Sequence, residues 1–267
     1  MTGLPEKLRK CIWFIIHSCA NLLHTCPYHK VIHFSAHGIR MNGLNHGANK
    51  QMSKGIYEAE EIEVTKKALS EAEVFVDAGA NIGLYSCIAC SLGKYVVAIE
   101  PQPKNLRCLY LNLKDNNWQN QAEVWPIGLY SRAGLLELYN SPWVAAPWAV
   151  ASLVRGWYGQ TKCSRVIPVH TLDTILSNRF EGKKLVIKID VEGAEYDVLL
   201  GAVNTLRMSP RPTWVVEISN EFHPGDVNPN YQATFDLFKQ HGYSVRCIGS
   251  SKLDYLFTVE QADKERK

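Results

Sequence analysis

The chain has 267 residues, a net charge of +3 and 46% hydrophobic residues, which suits one α/β domain with an N-terminal extension and is crowded for two domains of ordinary size. So small a charge, with no run of Lys or Arg, excludes nucleic acid as the expected partner. Eight cysteines (Cys11, Cys19, Cys26, Cys87, Cys90, Cys108, Cys163 and Cys247) form no paired framework, which excludes a disulfide-stapled fold and favours the reducing cytoplasm.

Lys7, Arg9 and Lys10 precede the apolar run from Cys11 to Ile16, and the pattern resumes at Leu22-Leu23. His17, Ser18 and Asn21 interrupt it, so the stretch falls short of the about twenty apolar residues that a spanning helix needs. No clear small-x-small cleavage site follows, which argues against a signal peptide. The expectation for residues 7–23 is a basic amphipathic helix that packs on the domain or rests peripherally on a membrane. From Tyr28 to Ser53 the chain is rich in His, Gly and Asn; His33, His37 and His46 match no metal-ligand spacing, and a surface loop is predicted. Residues 1–53 are therefore assigned to an extension, 54–262 to the main domain and 263–267 to a frayed tail.

Lys54 to Leu69 reads as an amphipathic helix. Next, Val74-Phe75-Val76-Asp77-Ala78 is an apolar run of strand length entering a turn, Gly79-Ala80-Asn81-Ile82-Gly83. Leu84, Cys87, Ile88 and Leu92 then recur at helical spacing, and Tyr95 to Ile99 is a second strand ending in Glu100. Gly79 and Gly83 let backbone approach a ligand, Asn81 tolerates left-handed geometry, and a carboxylate one crossover further on can take both hydroxyls of a ribose. The unit therefore describes a nucleoside pocket. It lacks the G-x-G-x-x-G that seats a pyrophosphate, and its leading Asp77 suits a cationic amino-acid group instead. Cys87-x-x-Cys90 lies in the helix with no second pair, so it reads as two small buried residues rather than a zinc or redox motif.

Pro101 opens a helix through Asn116, and Ala122 to Ile127 is the third strand. Leu135 to Tyr139 is an extra strand, followed by a Pro- and Gly-punctuated segment with Pro142, Trp143, Pro147, Trp148, Trp157 and Tyr158. These aromatics, unpatterned on a long connection, read as a substrate-facing lid or as core filler. Ser164 to Val169 is a strand, and Thr171 or Asp173 caps the helix that follows. Lys184 to Ile189 is another apolar strand, delivering Asp190, Glu192 and Glu195 at its carboxyl end, where open α/β sheets bind ligands. Thr213 to Ile218, a helix from Tyr231 to His241 and short strands at Tyr243 to Ile248 and Tyr255 to Val259, an antiparallel edge pair, complete the reading.

Asp77-Ala78-Gly79-Ala80-Asn81-Ile82-Gly83, Glu100-Pro101, Thr171-Leu172-Asp173 and Lys188-Ile189-Asp190-Val191-Glu192-Gly193-Ala194-Glu195, in that order, resemble the FkbM family of S-adenosylmethionine-dependent methyltransferases. The resemblance covers roughly residues 55–221. It implies a class I, Rossmann-like α/β fold: a mostly parallel seven-stranded sheet with helices on both faces and an antiparallel edge pair. It also implies S-adenosyl-L-methionine as cofactor and O-methylation of a hydroxyl on a small acceptor, a sugar or a secondary metabolite. Asp77, Gly79, Ala80, Asn81, Gly83 and Glu100 are assigned to the cofactor, and Tyr57 and Glu58 join them by resemblance, although periodicity alone makes those two an ordinary helix start. Asp190 or Glu192 orients or deprotonates the acceptor, and Glu195 favours its helix N-terminus. No metal is assigned, although three carboxylates near one sheet edge (Asp190, Glu192 and Glu217) are also the kind of set that holds a divalent cation. A nicotinamide oxidoreductase and a non-catalytic nucleoside-binding module are the rival readings.

Overall fold

The computed structural model describes residues 31–44, 47–140, 151–157, 162–223, 226–250 and 252–259. The helix expected at 7–23, the aromatics Trp143, Trp148 and Tyr158, and the tail from Asp263 lie outside them.

The surface loop expected over 28–53 is instead, in its described part, a hairpin and a helix. Strands β1 (Val31–Ala36) and β2 (Ile39–Leu44) pair in antiparallel register around His37-Gly38, both with positive φ (52° and 78°). That two-residue, left-handed turn matches the twist of the strands it joins. Helix α1 (Gly47–Ser53) follows. Asn42 fastens the hairpin to the domain: its Nδ2 donates to Asn112 Oδ1 (3.0 Å) and Asp115 Oδ2 (2.9 Å), while Asn112 Nδ2 donates to Asn42 O (3.1 Å) and Ile82 O (2.7 Å). All of this is buried or half-buried, where each satisfied amide avoids a desolvation cost of about 1–3 kcal/mol.

Helix α2 (Ala59–Leu69) leads into β3 (Val74–Ala78), α3 (Leu84–Ser91), β4 (Tyr95–Ile99), α4 (Pro103–Asp115) and β5 (Ala122–Trp125). Next, β6 (Gly128–Leu129), β7 (Gly134–Asn140), β8 (Ala151–Ser152) and β9 (Lys162–His170) form a separate four-stranded sheet in the order β6-β9-β7-β8. Helix α5 (Leu172–Leu176), β10 (Leu185–Ile189), α6 (Glu195–Leu200), β11 (Thr213–Glu217), the small pair β12 (Glu221–His223) and β13 (Asp226–Val227), α7 (Tyr231–Gln240), β14 (Ser244–Ile248) and β15 (Asp254–Thr258) complete the chain.

The main sheet has seven strands in the order β14-β15-β11-β10-β3-β4-β5. Its pairs from β11 through β5 are parallel, and β15 runs antiparallel to both β11 and β14, which is the edge pair expected from sequence. Strands β3 and β10 are buried along their whole length, as parallel strands covered on both faces must be. Alternation decides the faces. Phe75, Val96, Ala98 and Val186 join the hairpin and α2, α3 and α4 in one core, while Val74, Val76, Val97, Ile187 and Ile189 pack with α5, α6 and α7 in the other. At the first turn of α5, the backbone N–H of Thr174 donates to Thr171 Oγ1 (3.1 Å), so Thr171 is the cap. Among the described residues no helix is long and apolar enough to cross a membrane. Cys87, Cys90 and Cys108 are buried free thiols, and burial pushes Cys90 up to about 12 and Cys108 up to about 11.

Candidate active site at the carboxyl edge of the sheet

Parallel strands end together, and the chain must turn back over that edge. A cavity of ≈ 560 Å³ opens there, lined from β3 by Gly79 and Asn81, from β4 by Glu100, from β10 by Asp190 and Glu192, and from β11 by Glu217. Tyr57 and Glu58 contribute from before α2, and Ala48, Asn49, Gln51 and Met52 from α1. Gly128, Leu138 and Leu153 close it from the smaller sheet. Of the residues predicted from sequence, Gly79, Asn81, Glu100, Glu58, Asp190 and Glu192 are thus brought to one cavity. Asp77, Ala80 and Gly83 stand outside its described lining: Asp77 is fully buried and accepts from Ser86 Oγ (2.6 Å), and Gly83 lies against Leu109.

Gly79 has φ +87°, and a Cβ built there would come 1.8 Å from the backbone carbonyl oxygen of Asp190. Adjacent strands meet so closely at this point that only glycine fits. Three lining residues with side chains, Glu58 (φ 44°), Asn81 (φ 51°) and Glu192 (φ 57°), hold left-handed backbone that costs on the order of 1 kcal/mol or more each. Such strain persists only where neighbours over-determine it. Glu192 shows how: Ser152 Oγ donates to its carbonyl (2.5 Å), Trp157 Nε1 to its Oε2 (3.4 Å), and Gly193 beside it packs so close to the Trp157 ring that an added Cβ would stand 2.4 Å from it. Glu195 Oε1 accepts from the backbone N–H groups of Gly193 (2.9 Å) and Val191 (3.3 Å), so this carboxylate shapes the loop and does not line the cavity.

Glu100 is 4% exposed and accepts from the backbone N–H groups of Gln102 (2.7 Å) and Asn81 (2.9 Å) and from Asn105 Nδ2 (3.3 Å). Burial nevertheless pushes it up to about 7, and burial does the same to Glu195. Both folded values exceed the ordinary 4.5, so between those limits the folded chain binds more protons than the unfolded one, and stability is lost as pH rises through about 7. Thermal melts of the ligand-free chain at constant ionic strength are therefore expected to show a higher Tm near pH 5.5 than near pH 8. An increase over that interval would contradict the burial of these two groups.

Sequence reasoning missed Lys188. It is 4% exposed in the middle of an apolar strand; its Nζ donates to Asp190 Oδ2 (2.7 Å) and sits 4.6 Å from the centre of the Tyr85 ring. Burial opposes the ammonium, but Asp190, Glu58 and Asp77 outweigh it and hold the charge well above the usual lysine range. Tyr85 OH donates to Glu58 Oε2 (2.8 Å), so one buried cation ties the Asp190 strand end to the turn before α2. A lone Lys in an otherwise apolar strand was the available signal, because such a residue is seldom buried without partners. Glu217 and Glu192 are held well above the usual carboxylate range, Glu217 first by the Asp190 charge and then by burial, Glu192 first by burial and then by Asp190. Among the described residues no group of three His, Cys, Asp or Glu side chains is arranged to hold a metal ion.

Residues 77–245 match the family profile of the methyltransferase FkbM domain. A curated relative, the hexuronic acid methyltransferase AglP of Haloferax volcanii, is 33% identical over 172 residues, covering 62% of this chain and 66% of that protein, just under two thirds of its length. Among solved structures, methyltransferase FkbM from Methylobacillus flagellatus aligns with TM-score 0.47 and 18% identity, over 79% of this chain and 54% of that one. A SAM-dependent methyltransferase from Agrobacterium tumefaciens aligns with TM-score 0.45 and 10% identity, over 85% of this chain and 69% of the other.

Proposed function

The chain belongs to the FkbM methyltransferase family, and from that premise we propose that it transfers a methyl group from S-adenosylmethionine to a hydroxyl oxygen of a small acceptor, a sugar being favoured. The name of the curated relative, a hexuronic acid methyltransferase, supports a sugar. The observation that carries the cofactor reading is the one-sided chemistry of the cavity lining, acids without bases. Its described lining holds five carboxylates, Glu58, Glu100, Asp190, Glu192 and Glu217, and no Lys, Arg or His. A dinucleotide would bring a pyrophosphate among these acids with no cation in the described lining to meet it, whereas a sulfonium nucleoside brings net positive charge, which favours their ionised forms.

The residues fit the cofactor. Glu100 Oε1 already accepts from Gln102 and Asn105, whereas Oε2 accepts from Asn81 alone and keeps a lone pair for a ribose hydroxyl. Gly79, with no Cβ between it and Asp190, leaves backbone open to the ligand. When bound, S-adenosylmethionine supplies a methyl group on a sulfonium, open to in-line displacement by the acceptor oxygen. The chain's own contribution is position and proton handling. Asp190, held from behind by Lys188, is placed to accept the proton of the acceptor hydroxyl once that oxygen comes within about 2.6–3.2 Å. Glu192, pinned through Ser152 and Trp157, orients the acceptor beside it.

Calorimetric titration tests the cofactor half. S-adenosylmethionine and S-adenosylhomocysteine are expected to bind and NAD is not, and Glu100→Gln is expected to weaken S-adenosylmethionine about ten- to hundredfold, the loss of charge-assisted hydrogen bonds. Binding of NAD as tight as that of S-adenosylmethionine, or an unchanged affinity in Glu100→Gln, would overturn it.

A further inference from the structure

We infer that Lys188 is the positioning residue of this site: from inside the sheet its ammonium fixes one oxygen of Asp190 and leaves the other to face the acceptor hydroxyl. The inference rests on the methyltransferase reading of the same cavity and adds to it a residue that touches neither cofactor nor acceptor.

Period-two alternation puts Val186, Lys188 and Asp190 on the face of β10 that packs against α3. The backbone N–H of Asp190 donates to Ala78 O (2.9 Å), so the ladder and its alternation run on past Ile189. A lysine stem lying along that face therefore ends at the carboxylate two residues further on, and Nζ meets Oδ2 at 2.7 Å. The Tyr85 ring, its centre 4.6 Å away, takes the ammonium on its face, and the Tyr85 hydroxyl donates to Glu58 Oε2 (2.8 Å). The ammonium is held from two sides. Side-chain exposure separates the ion pair, 5% for Lys188 and 24% for Asp190, and Asp190 lines the cavity while Lys188 stands outside its described lining. One partner is sealed in the core and the other is reached from the cavity.

A buried ion pair is a poor device for stabilising a strand, because desolvating two charges commonly outweighs their attraction and an apolar residue of equal length would fill the same space. What an apolar residue would not do is hold Asp190. A carboxylate at a strand end turns about two side-chain bonds; the bond to Nζ stops that rotation and complements the ionised form, the form able to take a proton. Among the described residues Asp190 is the only carboxylate of the lining in a salt bridge, and Glu192 beside it is held by Trp157 Nε1 instead.

Lys188→Met keeps length and removes the charge. Crystal structures of the native chain and of this variant, each grown with S-adenosylhomocysteine, read the positioning directly: the Asp190 carboxylate is expected to leave its native place by about 1 Å or more. Turnover is followed by S-adenosylhomocysteine formation, with methyl hexosides and methyl hexuronosides as acceptor probes. In Lys188→Met, kcat is expected to fall about ten- to hundredfold, while acceptor KM and the calorimetric affinity for S-adenosylmethionine change no more than about threefold. Added to Asp190→Asn, the same change is expected to cost no more than about twofold further, since its effect runs through the carboxylate. That double variant leaves no charge at either position and serves the comparison even if Lys188→Met alone does not fold. An Asp190 carboxylate that keeps its place, losses that multiply in the double variant, or a loss confined to KM overturns the inference; if no probe turns over, the two structures decide it. Calorimetry on the native chain reports separately on the methyltransferase reading: S-adenosylmethionine binding together with an unmoved Asp190 refutes only the role of Lys188.

Discussion

Asp190→Asn is expected to lower methyl transfer by about two to four orders of magnitude in kcat, with S-adenosylmethionine affinity changed no more than a few-fold. The substitution is close to isosteric, and its amide oxygen can still accept from Lys188 Nζ, which lies 2.7 Å from the carboxylate in the native chain. What it removes is the group able to take a proton from the acceptor. Rapid-quench turnover beside calorimetry separates the two quantities. A loss confined to Glu192→Gln would move the base one step along the loop; full turnover in both variants would remove proton transfer from this part of the account.

Gly79→Ala is expected to unfold the floor of the cavity, costing roughly 3 kcal/mol or more of stability and most of the cofactor affinity. The new methyl would fall 1.8 Å from the Asp190 carbonyl oxygen at φ +87°, so β3 and β10 would have to part where both reach the ligand. Gly182→Ala supplies the control, since Gly182 also has positive φ (+75°) but nothing within 4 Å of its Cβ position. It is expected to show the backbone strain alone, about 1 kcal/mol. Denaturant melts of both variants give the comparison, and equal losses would mean that the close approach of the two strands is not what Gly79 serves.

The central sheet was legible because its signal is local. Apolar runs of strand length at Val74, Tyr95, Leu185 and Thr213, each with a loop at its carboxyl end, suffice to place Gly79, Glu100, Asp190 and Glu217 along one edge once the strands are parallel. The hairpin at Val31–Leu44 was not, because a His-Gly turn with two positive φ values is a rare substitute for the usual Asn-Gly, and the surrounding His, Gly and Asn have the composition of a loop. The same composition hid helix α1 and with it the contribution of Asn49, Gln51 and Met52 to the cavity. Trp157 was counted with the aromatics of a lid or of the core; it is 3% exposed, and only tertiary contact shows that its ring braces Gly193 and Glu192. The environment of Lys188 is likewise long-range, since Tyr85 and Glu58 come from other elements. Asp77 illustrates the converse: its motif position suggests a ligand, and in the fold its carboxylate faces Ser86.

A structure of the full chain with S-adenosylhomocysteine bound tests the central claim most directly. The ribose hydroxyls should lie within hydrogen-bond distance of Glu100, with the thioether sulfur displaced along the sheet edge toward Asp190 and open to the space before Glu217. A ligand seated away from Glu100, or a sulfur from which Asp190 is walled off, would contradict the account.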